Sequence, residues 1–94
     1  MKRATAVPTV QIENERVIVT EWRFAPGAET GWHVHGYDYV VVPGLDGQLL
    51  IETKDGNKTA DLFAGVSYCR DAGVEHNVIN NNDYEFSFVE VELK

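Results

Sequence analysis

Over most of the chain, apolar and polar positions alternate with period two, the mark of strands that turn one face to a core. In RVIVTEWRF (16–24), Ile18, Thr20, Trp22 and Phe24 fall on one face, and Val17, Val19, Glu21 and Arg23 on the other. DYVVVP (38–43) is a continuous apolar run, and QLLIETK (48–54) follows it after a Gly-Leu-Asp-Gly turn. Asp55-Gly56 marks a tight hairpin into NKTADLF (57–63). VSYCR (66–70), HNVIN (76–80) and YEFSFVEVEL (84–93) complete the set, the last two separated by the turn NNND. In the final segment Tyr84, Phe86 and Phe88 share a face, and the apolar phase then moves to Val89, Val91 and Leu93. One extra residue, a β-bulge, is predicted there.

No window carries helical spacing with caps at both ends. Pro26-Gly27, Pro43-Gly44 and Gly73 sit in turns. Roughly eight short strands at this spacing predict an all-β fold, a small antiparallel β-barrel or jelly roll. Residues 1–9 read as a loose arm or an added edge strand ahead of a single domain over 10–94.

Composition narrows the picture. Ninety-four residues suit one domain, short enough for dimerisation to help bury apolar surface. Fifteen acidic residues against eight basic ones give a net charge of −7. Such a surface repels phosphate backbones, so no nucleic-acid partner is expected. There is no apolar run of ~20 residues for a membrane span and no signal-peptide pattern in MKRATAVPTVQ. The expectation is a cytoplasmic protein without a membrane partner. Cys69 is the sole cysteine, which rules out an internal disulfide or a multi-cysteine zinc site; it reads as a small buried hydrophobe.

His33 and His35 stand two apart in GWHVHGYDYVVVPG (31–44), and on a strand both imidazoles project to the same face. The third and last histidine, His76, falls on EHNVIN (75–80). Three histidines able to converge form a candidate metal site; as surface residues on a polar strand face they would bind nothing.

The glycine frame around them resembles the cupin superfamily, in particular its small single-domain conserved-barrel members. The first motif of that family is Gly, five residues, His-x-His, three or four residues, Glu, six residues, Gly. Gly27, AETGW and His33-Val34-His35 fit its opening. The second motif is Gly, five residues, Pro-x-Gly, two residues, His, three residues, Asn. Gly65, VSYCR, Asp71-Ala72-Gly73, Val74-Glu75, His76 and Asn80 match it except at the proline. The resemblance implies that His33, His35 and His76 meet on one divalent transition metal inside the barrel mouth. Fe(II) is favoured, with Ni, Zn, Mn or Cu as alternatives. It also implies a homodimer, commonly formed by lending an N-terminal strand. Some small cupins of this kind are linked to catabolism of small amines or β-amino acids.

The family's glutamate is missing. Its place falls on Tyr39 or Val40, and Tyr39 has the parity to face inward. Asp38 stands one residue early; regular pleating aims it away, and a bulge at Gly36 would bring it in as a fourth ligand. Three neutral imidazoles leave the ion its full charge and open positions. That favours a small anionic or bidentate substrate beside water or dioxygen.

By parity Tyr68 and Arg70 share the inward face, where Arg70 could clamp a carboxylate or else pair with an acid outside. Trp22, Trp32, Tyr39 and Phe86 are candidate pocket walls. Glu75 and Glu90 are candidate acids or bases that nothing in the sequence singles out. Asn80 is expected to satisfy backbone groups in a turn. Three functions compete on these residues: a metal-dependent, dioxygenase-like enzyme on a small anion, a non-catalytic metal or ligand sensor, and a metal-free structural barrel.

Overall fold

The computed structural model describes residues 2–94 as nine strands in two facing antiparallel sheets. In chain order these are β1 (Val7–Glu13), β2 (Val17–Phe24), β3 (His33–Val34), β4 (Asp38–Pro43), β5 (Gly47–Thr53), β6 (Gly56–Leu62), β7 (Tyr68–Arg70), β8 (Glu75–Asn80) and β9 (Phe86–Leu93). One sheet runs β1-β2-β9-β4-β7 and the other β3-β8-β5-β6. This is the all-β jelly roll that the alternation predicts. No helix occurs among the described residues, and so none is long and apolar enough to cross a membrane.

The period-two pattern decides what fills the space between the sheets. Phe24, Phe86, Phe88, Val41, Leu49, Leu62 and Val78 are buried there together, and the Phe24 and Phe88 rings lie 5.5 Å apart in tilted contact. Gly47 lets the sheets approach: a Cβ on it would stand 2.7 Å from the Phe86 ring. Asn80, 2 % exposed, donates its side-chain amide to the carbonyls of Phe24, Ala25 and Tyr84. It thereby satisfies turn backbone that the strands leave unpaired.

Two expectations are corrected. β9 pairs residue for residue with both β2 and β4, without a shift. The bulge lies instead in β1, between Val10 and Ile12. The inner face of β9 is therefore Phe86, Phe88, Glu90 and Glu92, and the valines at 89 and 91 face out. Cys69 is exposed rather than buried. It sits opposite Val40 on that same outer face, because Tyr68 and Arg70 take the inward positions of β7.

Along β9 the lining thus changes from phenyl rings to carboxyls. The apolar end is a packed core, and the other end opens as a cavity of about 620 Å³.

Candidate metal centre

The site is built where β3 meets β8. His33 lies directly opposite His76 in that pairing, and His35 follows two residues on. Its amide N–H donates to the Val74 carbonyl at 2.9 Å, and its carbonyl accepts from the Gly73 N–H at 2.7 Å. Gly73 reaches this contact at φ +95°, a conformation open to glycine at low cost. All three side chains enter the cavity.

The three Nε2 atoms converge, His33 to His35 at 3.0 Å and His35 to His76 at 3.1 Å. Two imidazole nitrogens bound at right angles to one ion at about 2.1 Å would stand about 3.0 Å apart. The donor set therefore fits a divalent transition metal on one triangular face, with further positions open. The second nitrogen of His33 suits this: Nδ1 donates to the Gly31 carbonyl at 2.8 Å, which leaves Nε2 as the nitrogen available to an ion.

A polar bracket holds that arrangement from behind. Asn77 accepts from the Gly31 N–H at 3.0 Å and donates to Glu29 and Glu52 at 2.7 and 2.9 Å. Arg3 bridges the same two carboxylates. Thr30 Oγ1 lies 3.3 Å from His33 Nδ1.

Burial and the neighbouring His33 lower His35 to about 4, and the same causes, with His35 and Lys58 adding, lower His76 to about 4. Both rings are therefore neutral at pH 7, the form that binds a metal. Tyr39 stacks on His35 at 3.8 Å between ring centroids, 16° from parallel. Burial first, and then the charge of Glu90, hold its phenol above the ordinary range. The ring backs His35 at the place where the family motif has its glutamate.

Asp38 turns the other way. It is exposed, and its carboxylate accepts from the Ala72 N–H at 2.8 Å. Among the described residues the cluster that could hold a metal ion is His33, His35 and His76.

Trp22, Tyr39, Tyr68 and Arg70 line the cavity with the histidines. The Arg70 guanidinium lies over the Tyr68 ring, 4.6 Å from its centroid, and donates to the Cys69 carbonyl. Trp32 and Phe86 are elsewhere. Trp32 is half exposed and donates its indole N–H to Glu75, which also pairs with Lys54. Phe86 is wholly buried in the core below.

Glu90 and Glu92 are cavity groups that the sequence reading did not single out. Unbroken alternation from Phe86 and Phe88 would have pointed to both. Burial pushes the Glu90 carboxyl up to about 7; the Glu92 charge adds to the rise and the Trp22 side chain opposes it.

The family model of the cupin domain matches residues 20–92. The chain belongs to the cupin family. This cupin is 65% identical over 92 residues to the beta-alanine degradation protein BauB of Pseudomonas aeruginosa, covering 98% of this chain and 97% of that protein. Among solved structures it is similar to a cupin domain from Bordetella pertussis, with a TM-score of 0.98 and 66% identity. That match covers 100% of this chain and 98% of the other. A double-stranded beta-helix protein from Klebsiella pneumoniae shares the fold, with a TM-score of 0.79 and 23% identity over 99% and 80% of the two chains.

Proposed function

We propose that this cupin is a metal-dependent, dioxygenase-like enzyme that acts on a small anionic molecule at one divalent ion held by His33, His35 and His76. The observation that carries the reading is the convergence of three imidazoles on an open cavity with no carboxylate among them. Fe(II) is the favoured ion, and it would supply Lewis acidity together with redox chemistry toward dioxygen.

The chain's own groups bind and orient the substrate. Arg70 at the rim offers a planar fork of donors to a carboxylate. Trp22 and Tyr68 form flat walls, and Tyr39 fixes the plane of His35. The similarity to a protein named for beta-alanine degradation supports a substrate drawn from small amino-acid-derived acids. Two copies pair as a homodimer in this reading.

Metal analysis of protein isolated without an affinity tag should find about one transition-metal ion per chain, and His76→Ala should lose it. Loaded anaerobically with Fe(II), the protein should consume oxygen with a member of a panel of amino-acid-derived acids, thiols and diketones. Iron held tightly with no turnover across the panel would reassign the protein to non-catalytic binding. Unchanged metal content in His76→Ala would sink the site itself.

A further inference from the structure

Glu90 stands on the inner face of β9, 8 % exposed, in the cavity that holds the histidine cluster. Among the described residues no lysine or arginine is within ion-pair distance of it. A glutamine would fill the same space without the cost of a buried charge, so packing alone gives no reason for a carboxyl here.

Its surroundings leave it free to exchange a proton. In register beside it are Thr20 on β2 and Val41 on β4, neither of which titrates. Glu92 follows on the same face; Tyr39 faces it from β4, and Tyr68 and Arg70 from β7. Across the cavity stand the three histidines, with Lys58 and Asp61 of β6 on the lining. Burial keeps the Tyr39 and Tyr68 phenols protonated and His35 and His76 neutral. Of the cavity groups that burial moves, Glu90 lands near neutrality.

We propose that Glu90 is the proton acceptor for a weakly acidic ligand, of the thiol, enol or hydroxamic acid class, that binds the three-histidine ion as its anion. This rests on the metal-site reading above. As the ligand seats, its S–H or O–H bond breaks and the electron pair stays on the donor atom. The proton forms an O–H bond on a carboxylate oxygen of Glu90. Nothing is oxidised or reduced, and the cavity gains no net charge, because the acid enters neutral. The new carboxyl can then donate a hydrogen bond to the anion.

Acetohydroxamic acid and Zn(II)-loaded protein provide the test. Calorimetric titration in buffers of different protonation enthalpy counts the protons released per ligand bound. The parent should release about one proton per ligand at the acid end of a pH series, where Glu90 is protonated, and close to none at the alkaline end, where it is ionised and takes the proton itself. Glu90→Gln should release about one at both.

Glu92→Gln removes a charge that raises Glu90, so the crossover should move to lower pH. That variant carries the test if Glu90→Gln does not fold. A proton count in Glu90→Gln that falls with pH as in the parent, or an unmoved crossover in Glu92→Gln, overturns the assignment alone. A parent that takes up no Zn(II) overturns the metal-site reading, and this one with it; a parent that holds Zn(II) and takes up no hydroxamate overturns this assignment alone.

Discussion

Buried histidines and a buried glutamate load one cavity in opposite directions. His35 and His76, lowered to about 4 from 6.5, hold fewer protons folded than unfolded. Their contribution to stability is present above pH 6.5 and is lost as pH falls toward 4. Glu90, raised to about 7 from 4.5, does the reverse: its contribution is present below pH 4.5 and is lost as pH rises through 7. In the metal-free protein two groups oppose one, so urea stability should climb between pH 5 and 6.5. Glu90→Gln should steepen that climb and stabilise the protein at pH 8 by up to about 3 kcal/mol. A destabilised Glu90→Gln at pH 8 would contradict the assignment of a strained buried carboxylate. Asn80 is a separate case, since its amide serves three carbonyls at once. Asn80→Ala should cost about 2–4 kcal/mol in thermal or urea melts, and a neutral result would mean that water replaces the amide.

At the level of elements, the contact between sheets depends on Gly47 and Phe86. Phe86 is fully buried, so its ring has little room to yield to a Cβ at 2.7 Å. Gly47→Ala should lower stability by about 1–3 kcal/mol, read as a drop in melting temperature; an unchanged midpoint would show that the sheets can part there. The strands also show what the sequence discloses. The histidine pair was legible because i and i+2 share a face in any strand, and the second motif located His76 and Asn80. The phase of β9 was not. Val89, Val91 and Leu93 look like core, yet they belong to an outer face that is itself apolar, so the rule of apolar in and polar out gives the wrong sign. The same rule gave no reason to single out Glu90 from Glu75 and passed over Glu92; both Glu90 and Glu92 point inward because the cavity end of the jelly roll is polar. No local pattern states that Tyr39 lies against His35; that contact depends on how the two sheets are set.

At the level of the molecule, the outer face of the five-stranded sheet carries Val17 and Val19 on β2, Val40 and Val42 on β4, and Val89 and Val91 on β9. All six are only partly buried. A contiguous apolar face on a chain of 10.5 kDa is a surface that a second copy would cover. Light scattering at micromolar concentration should give twice the chain mass, and Val91→Glu should shift it to the single mass while the metal content stays the same. A parent that runs as a monomer would rule out this pairing.

β9 also sets a fixed interval along the cavity wall. Phe88 and Glu90 are consecutive inward residues on it, and so about 7 Å apart along the cavity wall. A guest with one acidic end and one greasy end can satisfy both rungs only if its span matches that interval. A guest shorter by a few bonds must forfeit the phenyl floor, and a longer one must protrude past Glu92. Phe88→Leu, which lowers that floor without burying a charge, should change which chain length fits and leave the three imidazoles where they are.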